Sequence, residues 1–246
     1  MSACYVEKII DLAKSEIGYK EKATNEHLDD KTANAGHANY NKYAKYIDDN
    51  FPTFYNGKKN GYDWCDVFVD YLFIKAYGFA NALRLTCQPI KSYGASCTYS
   101  MACYKNNNRF GKNPELGSQI FFGSGNESTH TGIVIDYNAN YVYTVEGNAG
   151  DGVCQKIYPI NDSKIVGYGH PEYAGEMMKS IHEIAKEVIK GDWGVYPERK
   201  KRLTDAGYNY DEVMEEVNRI CTSEDSKTYT IDIDSKKYNR VVINLV

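Results

Sequence analysis

Apolar residues near the start of the chain fall at Val6, Ile9, Ile10, Ala13 and Ile17, the spacing of one helical face, and Gly18 supplies the residue that commonly closes such a helix. A polar, Tyr- and Asn-rich stretch follows from residue 20 to 60, in which residues 39–46 are predicted helical and the rest loops. Residues 65–77 form a long apolar segment ahead of Gly78 and read as a buried helix. Two β-rich runs, 131–136 and 141–146, flank Tyr137-Asn-Ala-Asn140 and predict a hairpin. After residue 173 the pattern turns charged and helical. Ser180-Ile-His-Glu183 is a capping box, followed by Ile181, Ile184, Ala185, Val188 and Ile189 on one face up to Gly191. A second helix starts at Pro197, carries Leu203 and stops at Gly207; Asn209-Tyr-Asp-Glu212 opens a third with Val213, Met214, Val217 and Ile220. Residues 228–233 and 240–246 alternate like a last hairpin, which needs a surface to pack on. That surface is either the rest of the chain or a second copy, giving a homo-oligomer.

Composition narrows the class. The chain has 246 residues, 42% of them hydrophobic, without a long apolar run, so one large or two modest soluble domains are expected and no membrane association. The first residues lack a basic region leading into an apolar core and a small-residue cleavage site, so synthesis in the cytoplasm without a signal peptide is the expectation. A net charge of −4 gives no general attraction to nucleic acid or an anionic wall, and any recruitment requires a dedicated surface. Seven cysteines, an odd number without a Cys-x-x-Cys pair, argue against a zinc site or a disulfide framework. Six of them read as structural, with one pairing among Cys87, Cys97 and Cys103 left open. No cofactor is expected.

The seventh cysteine carries the candidate chemistry. Cys65 opens the buried helix, where free backbone N–H groups and the positive dipole end favour a thiolate. The neighbouring Asp66 could raise the thiol's pKa, yet it also complements the dipole. A base and an orienting group are available downstream. In a hairpin centred on Asn138, His130 lies opposite Glu146 on one face and Asn148 shares that face; a one-residue slip would turn the polar side chains away. Further on, Gly191-Asp-Trp-Gly194 sets Asp192 and Trp193 in a short loop near Arg199. The indole either plugs a small core or joins the two charged groups in binding sugar and peptide.

Residues 60–69 (Asn-Gly-Tyr-Asp-Trp-Cys-Asp-Val-Phe-Val), 129–134 (Thr-His-Thr-Gly-Ile-Val) and 145–148 (Val-Glu-Gly-Asn) resemble the nucleophile, histidine and acid/amide segments of the CHAP family, the cysteine- and histidine-dependent amidohydrolases/peptidases of bacterial and phage wall lysis. The resemblance implies an α+β, papain-like domain with helices packed on an antiparallel sheet. It gives Cys65, His130, Glu146 and Asn148 the catalytic roles, with Glu146 or Asn148 fixing the imidazole. Some relatives bind calcium through aspartates just before the nucleophile; residues 56–62 carry no acidic side chain, so no metal is expected. Residues 184–218 resemble the short wall-binding repeat of some phage lysozymes, which makes Asp192, Trp193 and Arg199 candidate contacts to peptidoglycan.

The expected organisation is therefore a CHAP domain over 1–174, a three-helix wall-binding repeat over 179–221 and a β-hairpin tail over 226–246. The expected activity is cleavage of a peptidoglycan amide, first the N-acetylmuramoyl-L-alanine bond and alternatively a stem-peptide or cross-bridge bond. A non-catalytic wall-binding protein is the reading from another class. The resemblance further implies release to the wall by a phage or prophage lysis system.

Overall fold

The computed structural model describes residues 2–92, 94–173, 179–206 and 208–224, in two compact units that divide between residues 178 and 179. Both the expected boundary near residues 174–175 and the expected hairpin at 226–246 lie outside the described residues.

The first unit runs α1 (Ser2–Glu16), α2 (Lys42–Asn50), α3 (Cys65–Tyr77), α4 (Phe79–Thr86) and α5 (Cys97–Asn106), then β1 (Phe110–Gly111), β2 (Gln119–Ser124), β3 (Glu127–Tyr137), β4 (Tyr141–Glu146), β5 (Cys154–Pro159) and β6 (Ile165–Gly169). The strands form one antiparallel sheet in the order β1-β6-β2-β3-β4-β5. Helices packed on an antiparallel sheet make this the α+β arrangement that the family resemblance implies.

On α1, Ile9, Ile10 and Ala13 are buried, and Gly18 follows with a φ of +91°. Helix α2 begins at Lys42, three residues later than predicted, because Asn39 adopts a left-handed backbone and the Asn41 side chain caps the helix by accepting from the Ala44 N–H. Every residue of α3 except Lys75 is buried, as expected of a helix apolar on all faces. Its start is anchored by Trp64, which is fully buried, donates its indole N–H to Glu21 Oε2 at 3.0 Å and stacks on Tyr43 at 5.5 Å. Such an aromatic pair adds about 0.5–1.5 kcal/mol beyond its buried area.

The hairpin forms, with a register different from the one predicted. Tyr137 pairs with Val142 and, beyond a bulge at Ile135, Val134 pairs with Thr144 and Ile133 with Val145. His130 has its cross-strand partner in β2, where it faces Phe122. The turn is the cause: Asn138 Oδ1 accepts from the N–H groups of Asn140 and Tyr141, which moves the reversal toward residues 139–140. The turn displaces the pairing by three positions and the bulge returns one. A net shift of two keeps the period-two parity, so Glu146 remains on the face of His130.

The second unit holds α6 (Ile181–Lys190), α7 (Glu198–Asp205) and α8 (Tyr210–Glu224). Ser180 and Glu183 form the full capping box and Gly191 closes α6 with a φ of +91°. The core comprises Ile184, Ala185, Val188, Leu203, Tyr208, Val213 and Ile220, whereas Ile189, expected on the same face, is exposed. Among the described residues no helix is long and apolar enough to cross a membrane.

Gly147 links β4 to the loop beyond it, and a Cβ there would lie 2.5 Å from Phe68 Cβ and 2.9 Å from the Trp64 ring. Gly147→Ala is expected to destabilise the first unit by about 1–3 kcal/mol through overpacking, read as a lower urea midpoint; an unchanged midpoint would contradict this packing.

Candidate active site

Cys65 is the first residue of α3 and is 8% exposed. Its Sγ lies 3.4 Å from Cys97 Sγ, at the first residue of α5, and both cysteines are free. His130 and the Asp66 backbone N–H also act on the sulfur, and both favour its ionised form. The hydrogen bond from Cys97 is the largest influence on its acidity. Against the opposing effect of burial, that bond together with His130 and the Asp66 N–H brings the Cys65 thiol down to about 5. Cys97 moves the other way, upward, because it donates to a thiolate and is itself buried.

His130 lies on β3 with Nε2 2.9 Å from Glu146 Oε2, which leaves Nδ1 as the nitrogen for the sulfur. Burial alone would lower its pKa, but the hydrogen bonds and charges of Cys65 and Glu146 raise it to about 9. Between those two values the pair is a thiolate and an imidazolium. Glu146 is 1% exposed and accepts from Thr144 Oγ1 at 2.5 Å and from Tyr158 Oη at 3.2 Å as well. It reaches the imidazole across Gly132, where a Cβ would lie 2.5 Å from Glu146 Cγ.

Asn148 does not join this group. It has a φ of +55° just past β4, and its side chain donates to Asp63 Oδ1 at 3.4 Å. Of the two orienting candidates, the structure brings Glu146 to the imidazole. Asp66, which the sequence places in the first turn of the helix as a complement to its dipole, is 2% exposed and accepts from Ser100 Oγ at 2.8 Å and Gln119 Nε2 at 3.2 Å. Burial first, then the charges of Asp70 and Cys65, holds its carboxyl well above the usual carboxylate range. That direction weakens the repulsion a carboxylate at Asp66 would exert on the thiolate. Among the described residues no group of three or more His, Cys, Asp or Glu side chains is placed to hold a metal ion.

Residues 57–148 match the CHAP domain family, and residues 182–221 match the CW_7 repeat family. The chain carries a CHAP domain followed by a CW_7 repeat. A CHAP domain implies peptidoglycan hydrolysis, as amidase or endopeptidase, and the repeat implies peptidoglycan binding. No curated protein matches the chain.

In the CW_7 repeat, Asp192 is exposed while Trp193 and Arg199 are half-buried. Trp193 donates its indole N–H to Glu187 Oε2 at 3.0 Å, meets Tyr208 edge-on and lies under the Arg202 guanidinium at 5.6 Å. Arg199 Nε donates to the Gly194 carbonyl at 2.8 Å. Trp193 thus helps build the repeat, and Asp192 is the most open of the three candidates.

Sequence reasoning missed Cys97, Tyr158 and Gly132 in the first unit. Gly132 left a signal, since a glycine directly after His130-Thr131 interrupts an otherwise β-branched strand. Cys97 and Tyr158 left none, because each reaches the site only through tertiary packing.

Iodoacetamide alkylation of Cys65, followed by peptide mass spectrometry against pH, is expected to show a midpoint near 5 rather than in the ordinary thiol range. His130→Ala should raise that midpoint; an ordinary midpoint in the unaltered protein would refute the thiolate. Gly132→Ala should push Glu146 away from the imidazole and lower the rate of wall hydrolysis roughly 100-fold with the fold retained, measured by turbidity clearance and circular dichroism.

Proposed function

We propose that this chain is an endolysin that hydrolyses the N-acetylmuramoyl-L-alanine bond of peptidoglycan, with Cys65 as nucleophile, His130 as proton carrier and Glu146 as the group that orients the imidazole. The carrying observation is the convergence of Cys65, His130 and Glu146, with the thiol drawn down to about 5 and the imidazole up to about 9. The sulfur attacks the amide carbonyl and forms a tetrahedral oxyanion. His130 gives its proton to the leaving amine, and water activated by the then neutral imidazole releases the acyl enzyme. The backbone N–H of Cys65, free of helix bonding in the first turn, supplies an oxyanion donor of the kind typically worth about 3 kcal/mol. Thr144 and Tyr158 hold Glu146 in place, and so fix the ring it orients.

The choice of bond is supported by the partner module. A repeat that recognises muropeptides engages the region where glycan meets peptide, and the amidase bond is the junction of the two. Asp192, exposed beside Trp193, is the residue we assign to wall contact, with Trp193 and Arg199 shaping the loop that presents it. Delivery to the wall by a phage or prophage lysis system completes this reading.

Cys65→Ala should reduce lysis of purified walls to background while leaving wall binding intact; undiminished lysis would leave only a binding role. Mass spectrometry of the digest decides the bond. Free N-terminal L-alanine with intact glycan supports the amidase, new amino groups deeper in the peptide would replace it by an endopeptidase, and new reducing ends would refute both. The rate should rise with pH through about 5 as the thiolate forms and fall through about 9 as the imidazolium loses its proton.

A further inference from the structure

Two cysteine sulfurs meet at the start of α3. Cys65 and Cys97 share a small apolar cluster with Met101, Tyr104, Phe121 and Val166, and Cys87 packs against it. The mechanism proposed above uses only Cys65. Cys97 is 7% exposed and its sulfur faces the nucleophile at 3.4 Å, a geometry held from two sides. Ser100, one turn along α5, donates to Asp66 on α3 at 2.8 Å. Thr98, the residue after Cys97, donates to the Ser128 carbonyl at 3.0 Å and accepts the Ser128 N–H at 2.9 Å on β3. The approach of the two sulfurs is therefore built into the packing of α5 against the elements that carry Cys65 and His130.

We propose that Cys97 is a resolving cysteine: a peroxide oxidises Cys65, and Cys97 then closes a Cys65–Cys97 disulfide that switches the hydrolase off reversibly and shields the nucleophile from irreversible oxidation. This rests on Cys65 being the nucleophile of the proposed function. In the first step the Cys65 thiolate attacks the peroxide O–O bond; sulfur loses two electrons, becomes a sulfenic acid, and an alkoxide or hydroxide departs. In the second, the Cys97 sulfur attacks the Cys65 sulfur, the S–OH bond breaks, and the hydroxyl leaves as water with the Cys97 proton. A dithiol returns two electrons and two protons and restores both thiols.

The chemistry suits both partners. Reaction with peroxide needs a thiolate reachable by a small molecule, and Cys65 must already be reachable by an amide substrate. The thiolate that holds Cys97 protonated vanishes once Cys65 is a sulfenic acid, so the second sulfur becomes more acidic when it is needed. Bonding requires an S–S distance of about 2.05 Å, so the sulfurs must close by about 1.4 Å from contact. Peroxide that reached Cys65 without such a neighbour would carry the sulfenic acid on to sulfinic acid.

The test uses the full-length protein treated with a several-fold molar excess of hydrogen peroxide, enough to carry an unprotected thiolate beyond the sulfenic acid. The expected product is lighter by two hydrogens, its peptide map joins Cys65 to Cys97, and lysis is lost and then recovered with dithiothreitol. In Cys97→Ser, whose hydroxyl can still donate to the Cys65 sulfur but cannot form a disulfide, the same treatment should add two or more oxygens to Cys65, and dithiothreitol should restore little of the variant's own untreated activity. The proposal is overturned if the unaltered protein shows no Cys65–Cys97 peptide, if Cys65 is joined to Cys87 instead, or if Cys65 gains oxygens as readily with Cys97 present as without it. The peptide map is independent of activity. A failure of the hydrolase reading, seen as lysis by Cys65→Ala without oxidant, is thus distinguished from a failure of the disulfide.

Discussion

A negative charge on a sulfur that is 8% exposed survives only if donors replace the water it has lost. Three groups from three elements favour the charge: the Cys97 thiol at the start of α5, 3.4 Å from the sulfur, the imidazole on β3, and the Asp66 N–H in the first turn of α3. Remove any one and the charge is stranded in an environment that favours the thiol. The rest of the first unit can be understood as the structure that brings these three groups to one point. Trp64, locked by Glu21 and Tyr43, fixes where α3 begins; Glu146, reaching across Gly132, fixes the ring; and Thr98 with Ser100 fixes α5 against both.

What could be read along the chain is what depends on local chemistry. The apolar run of α3, its cysteine at the threshold, the hairpin, and the Ser180–Glu183 capping box and closing Gly191 of α6 all follow from spacings of a few residues. The pair register was misjudged by two residues because it depends on where Asn138 turns the chain and on a bulge at Ile135, neither of which alternation reveals. The face was still right, since two is the period of a strand. That is why Glu146 was found while the cross-strand partner assigned to it was not. Asn148 fell outside for a related reason: past the end of β4 its backbone turns left-handed, and the alternation that would carry it onto the face of His130 no longer applies.

Cys97 marks the limit of such reading. It lies thirty-two residues beyond Cys65, after the loop that follows α4, and reads locally as a small buried hydrophobe capped into a helix by Ser96. Its significance exists only once α5 has docked, through hydrogen bonds to Asp66 and Ser128 that no spacing announces. Tyr158 is the same case on β5, a ladder tyrosine until the sheet sets its hydroxyl on Glu146.

Asp66 shows how the same docking turns a liability into a support. An ionised carboxylate next to Cys65 would oppose the thiolate, and Asp70, one turn on, would add to it. Burial changes both groups. It holds Asp66 well above the carboxylate range and, despite hydrogen bonds from Tyr55 and Gln88, brings Asp70 up to about 7. Because both pKa values are raised in the fold, folding favours the protonated forms, and the stability this linkage contributes is present at low pH and lost as pH rises through the folded values. The helix thus carries two acids whose ionisation is opposed by the same burial that surrounds the thiolate. The charge is concentrated on Cys65 and His130 because the residues beneath them are kept from competing for it.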